Sequence, residues 1–432
     1  MGVSHLSDGP EPWSRRGVLA VLAAVPAAVL TGCGSRAGAS DATSGTTPAA
    51  STAASTATAS ASASATAKAP TLTLTPADGS RNADFTSPVK VTASSGTLSH
   101  VRVAASDGAA LAGSFDESRT TWTSDRNPYS GTAYTVTAAV SVAATAGAGT
   151  GTQDAAEQAL SFTTRTPANT FVGRFTPEAG STSGVGMPVS VTFTHAVTDR
   201  AAVEKAITVT ADPQVEVVGH WFSDTRLDFR PEEYWAAGTK ITLALRLKDV
   251  EGASGVYGTQ SKDVTFHIGR EQISTVDLAA KTMTVRRDGR TLATYPVSGG
   301  DAEHSTWSGI MVISERFEKT RMESSTVGLG DEYDIDDVPH AQRLTTSGTF
   351  IHGNYWASSS VFGGSNTTHG CIGLRDAKGG GDTSEPGHAF YESSMLGDVV
   401  VVENSGEDTV DPANGLNGWN MLWVNWRAGS AF

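Results

Sequence analysis

Cysteine is almost missing from this chain of 432 residues, which carries only Cys33 and Cys371. Two cysteines cannot build a disulfide-rich scaffold or a structural zinc ribbon, so the folded parts must be held by burial alone. Basic residues are also scarce: 31 Lys and Arg stand against 45 Asp and Glu, a net charge of −14. That balance lacks the cationic surface that a phosphate backbone needs, and no nucleic acid is expected as a partner. Long apolar runs are absent as well. The longest, from Gly17 to Leu30, is shorter than the roughly 20 residues that a bilayer-spanning helix requires.

What is present begins with that short run. Arg15 and Arg16 precede it and Leu30-Thr31-Gly32-Cys33 ends it. A basic start, a short apolar core and small residues at the end are the marks of a removable signal peptide, placed here at residues 1–32. The ending resembles a bacterial lipobox, and Ser14-Arg15-Arg16-Gly17-Val18-Leu19 resembles a twin-arginine export signal. These resemblances imply lipidation of Cys33 and a mature protein outside the cytoplasmic membrane, anchored to it without spanning it. After Cys33, the rest of the segment 33–70 is almost entirely Ala, Ser, Thr and Gly, with Arg36, Asp41 and Lys68 its only charges and no aromatic. Such a segment cannot offset its own ordering entropy and reads as a flexible tether with a reach of roughly 30–37 Å.

Beyond residue 70 the texture changes to short alternating runs such as Leu72-Thr73-Leu74, Val89-Lys90-Val91 and Tyr134-Thr135-Val136. Period-two alternation between Gly, Asp and Ser turns predicts half-buried antiparallel strands. The pattern repeats. Thr75-Pro76-Ala77-Asp78-Gly79-Ser80 is echoed by Thr176-Pro177-Glu178-Ala179-Gly180-Ser181, and Pro88-Val89-Lys90-Val91-Thr92 by Pro188-Val189-Ser190-Val191-Thr192. A repeat of about 100 residues is the size of an immunoglobulin-like sandwich, so one is placed at 71–166 and another at 167–270. Trp122, Trp221 and Trp235 are their large core candidates, and the histidines there fall singly. The expected role is spacing, with wall contact as the alternative.

A new unit, placed at 271–404, opens with two alternating runs around Thr282-Met283-Thr284-Val285 and Leu292-Ala293-Thr294-Tyr295, joined across Asp288-Gly289, which predict a hairpin. Its chemistry lies in Phe350-Ile351-His352-Gly353-Asn354 and Thr367-Thr368-His369-Gly370-Cys371-Ile372-Gly373. A thiol is a weak nucleophile until a neighbouring imidazole takes its proton. Gly370 lets the backbone approach a substrate, and the Cys371 N–H can then face a developing oxyanion. These residue types suit acyl transfer through a thioester. A buried structural cysteine and a zinc site made from His352, His369 and Cys371 are the competing readings, the second without an evident fourth ligand.

At these residues the chain resembles the bacterial L,D-transpeptidases with a YkuD-type catalytic domain, specifically the actinobacterial branch. The match lies in His352 followed by Thr368-His369-Gly370-Cys371, and extends to Met322-Glu323-Ser324-Ser325-Thr326, Gly397-Asp398-Val399-Val400 and Gly415-Leu416-Asn417-Gly418-Trp419. The resemblance implies Cys371 as nucleophile, His352 as general base and His369 lining the site. It also implies Tyr333, Gly353, Thr368 and Gly370 as substrate or oxyanion contacts. The family usually has Asn two residues after the cysteine. This chain has Gly373, and Arg375 is offered as a substitute for binding a substrate carboxylate.

The fold class expected is therefore mainly β: two immunoglobulin-like sandwiches, a β-rich catalytic domain and a Trp-rich C-terminal subdomain at 405–432. In that tail Trp419, Trp423 and Trp426 have the spacing of one helical face, expected to dock on the catalytic domain. The expected activity joins third residues of peptidoglycan stem peptides, with release of D-alanine and with no metal or organic cofactor. Carbapenem β-lactams are the expected inhibitors and the monomer the expected state. An L,D-carboxypeptidase using the same thioester and a non-catalytic wall-binding lipoprotein are the alternatives.

Overall fold

The computed structural model describes residues 70–143, 152–154, 157–328 and 330–432. The signal segment, Cys33 and the tether up to residue 69 lie outside the described residues. The first sandwich faces one sheet of Leu72–Thr75, Lys90–Ala93, Thr121–Ser124 and Gly113–Phe115 against another built on the long strand Ala133–Ala143. Trp122, Tyr134 and Phe162 fill the space between them. The second pairs Gly173–Thr176, Val189–Phe193, Arg226–Arg230 and Val218–Trp221 against Thr182–Ser183, Ser261–Ile268, Lys240–Arg246 and Ile207–Asp212. Trp221, Trp235, Phe229 and Phe266 occupy its core. Alternation along each strand dictates this: in Lys240–Arg246 the inward residues Ile241, Leu243 and Leu245 are fully buried between outward polar or small ones.

The catalytic region is a nine-stranded mixed sheet. Across it run Gly309–Val312, Val399–Glu403, Gln272–Asp277, Thr282–Arg287, Arg290–Ser298, Ile372–Arg375, Phe350–Asn354, Asp334–Arg343 and Glu315–Glu323. The expected hairpin is there, with Thr282–Arg287 antiparallel to Arg290–Ser298. Asp288 and Gly289 both take positive φ, 48° and 75°, as a two-residue turn with the twist of its strands requires. Phe350–Asn354 and Ile372–Arg375 are parallel, with His352 opposite Gly373. The helix Pro386–Ser393 packs over them.

The second sandwich packs directly on the nine-stranded sheet. Val399 of the catalytic sheet belongs to its core, and Ile273, Ile310 and Val401 pack against it. The Gly184 and Gly186 N–H groups donate to the Leu396 and Gly397 carbonyls at 2.7 and 2.9 Å. Arg270 meets the buried Asp398 carboxylate through two bonds of 2.7 and 2.9 Å. Shared apolar burial with satisfied backbone groups makes this contact resemble a domain interior.

The tail corrects an expectation. Trp419, Trp423 and Trp426 do not share one helix: Gly418–Asn420 is a 3₁₀ turn, and a separate short helix covers Trp423–Arg427. The three indoles still converge, because the buried Arg230 guanidinium lies over all three rings at 4.7, 5.3 and 4.3 Å. That arginine comes from the second sandwich, so the indoles dock there rather than on the catalytic domain alone. Trp426 donates to the Val218 carbonyl at 2.9 Å and stacks on His220, while Trp419 donates to the Gly186 carbonyl at 2.7 Å. Spacing located the indoles; Leu422, with ψ of 142°, breaks the helix between them.

Candidate active site

Cys371 lies at the mouth of the strand Ile372–Arg375, and His352 is the middle residue of its parallel neighbour Phe350–Asn354. In a parallel pair, directly opposed residues share a face, and alternate residues along each strand return to it. Cys371 and Gly373 therefore face the same way as Phe350, His352 and Asn354. Ile351, Ile372 and Leu374 point to the other side and enter the catalytic core. Cys371, His352, Asn354, Thr368, His369 and Tyr333 all line one cavity of about 220 Å³.

The candidate nucleophile and base are both buried, with Cys371 8% and His352 4% exposed. The thiol donates to the Gly348 carbonyl at 3.6 Å. Burial pushes it up to about 11, against smaller opposing effects of the Phe350 N–H and the Arg343 charge. Burial likewise lowers the His352 ring below its usual value, opposed by its bond to the Gly353 carbonyl and by the Asp376 charge. At neutral pH the resting pair is therefore a thiol and a neutral imidazole. His352 Nδ1 lies 3.0 Å from the Gly353 carbonyl. A carbonyl only accepts, so Nδ1 carries the proton and Nε2 keeps the lone pair that a base needs. The ring is held flat against Trp356, 5.6 Å away at 13°.

The other expected residues take distinct places. Gly370 adopts φ +102°, a region that a side chain disfavours, and this turn delivers Cys371 into the cavity. Thr368 Oγ1 donates to the Cys371 carbonyl at 2.6 Å and braces the same turn. Gly353 contributes its carbonyl to His352, and its α-carbon packs on Asp376, whose Oδ2 would lie 2.2 Å from a Cβ at 353. Tyr333 is half-buried, and burial raises its phenol to about 12, with the Cys371 and Glu332 charges adding to the effect. It remains a hydrogen-bond donor at neutral pH. His369 is partly exposed, with its ring 5.0 Å from that of Tyr333. Arg375 is outside the cavity lining, and its guanidinium meets Glu385 at 3.0 Å.

Two residues escaped the sequence reading. Asn354 is 3% exposed and lines the cavity beside His352. Its Oδ1 accepts from the Ala357 N–H at 3.0 Å, which leaves Nδ2 as the donor on the cavity side. Strand periodicity contains this signal, since 352 and 354 share a face. Asp376, fully buried as a side chain, holds His340 Nδ1 at 2.7 Å and raises the proton affinity of His352. No local motif marks that pair.

Comparison with known proteins places these features in a family. The model of the L,D-transpeptidase catalytic domain matches residues 271–379, and that of a bacterial Ig domain matches residues 80–251. L,D-transpeptidase 2 of Mycobacterium tuberculosis is 32% identical over 370 residues, covering 84% of this chain and 85% of that one. L,D-transpeptidase 5 of the same species is 30% identical over 371 residues, covering 84% and 77%. A solved LD transpeptidase in complex with imipenem is 28% identical, covers 53% of this chain and 97% of that one, and superposes with a TM-score of 0.45. Covering most of its own length and most of the length of the two Mycobacterium tuberculosis relatives, the chain belongs to the L,D-transpeptidase family.

Proposed function

We propose that the protein is an extracytoplasmic, lipid-anchored enzyme that cross-links peptidoglycan through a thioester on Cys371. The acyl donor is a tetrapeptide stem. His352 Nε2 takes the thiol proton as Sγ attacks the carbonyl carbon of the third residue. The tetrahedral intermediate collapses, the proton passes to the leaving amine, and the terminal D-alanine departs. A side-chain amine on the third residue of a neighbouring stem then attacks the thioester, its proton passes through His352, and the thiol returns. The product joins two third residues, and no outside oxidant or reductant is needed. Tyr333 and the backbone of the Gly370 turn supply donors for the oxyanion, and His369 positions substrate at the mouth.

The observation that carries this reading is the shared face of Cys371 and His352 on adjacent parallel strands, with the histidine tautomer fixed by Gly353. A buried neutral pair avoids leaving a thiolate exposed to oxidation, and proton transfer is coupled to attack. Lipidation of Cys33 and the tether at 33–70 would hold this catalytic unit near the wall.

Incubation with imipenem followed by intact-protein mass spectrometry tests the nucleophile. One covalent adduct is expected, absent in Cys371→Ala; no adduct, or one that survives the substitution, rejects the reading. Incubation of a disaccharide-tetrapeptide then separates acceptors. Cross-linked dimers are expected, whereas tripeptide alone would assign water as acceptor and make the enzyme a carboxypeptidase.

A further inference from the structure

Outside the Cys371–His352 pair, three ligand-bearing side chains meet at the rim of the cavity. His304 Nε2 lies 3.3 Å from Glu332 Oε2, and His369 Nε2 lies 3.4 Å from that same oxygen. All three ligand atoms fall within 4.8 Å of one another. We propose that His304, Glu332 and His369 form a binding site for a divalent transition cation of the zinc class, with Asp301 orienting His304.

The spacing argues for a shared ion. Zinc bound by imidazole nitrogen and carboxylate oxygen at about 2.0–2.1 Å in a tetrahedron places adjacent ligand atoms about 3.3–3.4 Å apart. Two of the three edges already have that length, and the third closes by rotation of partly exposed rings. The orientation of His304 argues the same way. His304 Nδ1 lies 3.2 Å from Asp301 Oδ1, and that carboxylate is itself fixed by the Glu303 and His304 N–H groups at 2.9 and 2.8 Å. With Nδ1 directed at Asp301, His304 turns Nε2 toward the Glu332 carboxylate oxygen, the atom through which it would bind an ion. Nε2 protons on the two rings can bridge these contacts pair by pair, while a single metal ion holds all three groups together. A carboxylate behind a ligating imidazole is also the usual support of a histidine–metal bond.

The donor set selects the ion. Two imidazoles and one carboxylate suit zinc, cobalt or copper rather than the harder calcium or magnesium. The fourth position opens on a second cavity, of about 320 Å³, whose wall also carries Glu303 and Glu407. The three ligands come from separate stretches of chain: the loop after Arg290–Ser298, the segment just before Asp334–Arg343, and the turn that delivers Cys371. A bound ion would tie these together, and because Tyr333 follows Glu332 it would also fix that ring over the cavity. The proposed chemistry at Cys371 does not use the ion.

Cobalt(II) titrated into the full chain tests the site directly. One equivalent is expected to bind with the visible absorption of a low-coordinate cobalt centre, without the near-ultraviolet band of a cobalt–thiolate bond, and to be displaced by Zn²⁺. His304→Ala should abolish saturable binding. Glu332→Gln, which keeps the shape, should weaken it at least tenfold while leaving the metal-free unfolding midpoint unchanged. Zn²⁺ should raise that midpoint in the parent and not in either variant. Absence of saturable binding, a thiolate band, or affinity unchanged in either variant would overturn the proposal.

Discussion

Asn354 stands beside Gly373 across two parallel strands, with its Nδ2 3.5 Å from where a Cβ at 373 would be. The resemblance to L,D-transpeptidases leads to an asparagine at 373. Here an amide reaches the same space from the neighbouring strand, and the Ala357 N–H fixes which end of it faces the cavity. Loss of a donor that binds the reacting peptide costs about 1–3 kcal/mol, or roughly fivefold to 150-fold in acylation. Asn354→Ala should lower kcat/KM for imipenem acylation by that factor with its unfolding midpoint little changed. A Cβ at 373 meets only ordinary contacts, so adding Gly373→Asn to Asn354→Ala should recover most of the rate. A swap that recovers nothing would show that the amide at 354 acts in some other way.

The neutral state of the resting pair sets the pH dependence. An exposed thiol gains reactivity as it ionises near pH 8.5, about its free value. Cys371 is raised to about 11 by burial, and His352 is lowered by burial, so neither event falls there. Acylation by imipenem should rise as His352 loses its proton, below the ordinary imidazole value, and then stay level from about pH 7 to 9. A stopped-flow profile with a further rise centred on 8–9 would instead identify a thiol that titrates freely.

Gly370 gives a narrower test. An added Cβ would find space, its nearest neighbours being the His304 and Ser305 carbonyls at 3.7 and 3.8 Å. The cost of Gly370→Ala is thus the φ of +102° alone, about 1–3 kcal/mol in a region closed to most side chains. Relief of that strain moves the next residue, which is Cys371. Acylation should fall at least tenfold, with a loss of a few degrees in the unfolding midpoint. A variant as fast as the parent would mean that the turn tolerates a different path.

How much of this was readable in advance follows from the range of each interaction. Alternation in Lys240–Arg246 and the Asp288-Gly289 turn are local, and each strand declares them by itself. The cluster around Cys371 carried the chemistry because its residues sit close in sequence. Asn354 needed one further step, the recognition that it shares a face with His352. Arg375 shows the limit of spacing: its place on the strand was legible, but Glu385, which engages it, arrives from the start of a helix that no local pattern ties to it. His304, Glu332 and Asp376 meet their partners only after the sheet has ordered its strands. The tail was legible in composition and not in contact, since Arg230 lies about 190 residues before the indoles it covers, far beyond any helical or strand period.

That tail also reaches the turn that holds Cys371. Asn417 is fully buried; its Oδ1 accepts from the Val312 N–H at 2.9 Å, and its Nδ2 donates to the Leu344 carbonyl at 3.0 Å. Leu344 opens the turn that ends at Thr349, closed by the Leu344 N–H on the Thr349 carbonyl at 2.9 Å. Gly348, within that turn, holds the Cys371 thiol. Removing the Asn417 amide would leave a buried N–H and a buried carbonyl without these partners, a loss of about 2–4 kcal/mol for the two together. Asn417→Ala should therefore lower the unfolding midpoint by several degrees and slow imipenem acylation, although the residue lies outside the cavity lining. Asn417→Asp supplies the decisive comparison: it keeps an acceptor for Val312 but turns a carboxylate oxygen onto the Leu344 and Asn414 carbonyls, both of which the amide now serves. If the path runs through the Leu344 turn, Asn417→Asp should slow acylation at least as much as Asn417→Ala. Recovery of rate and midpoint in equal measure would mean that the tail stabilises the sheet as a whole and has no separate hold on Cys371.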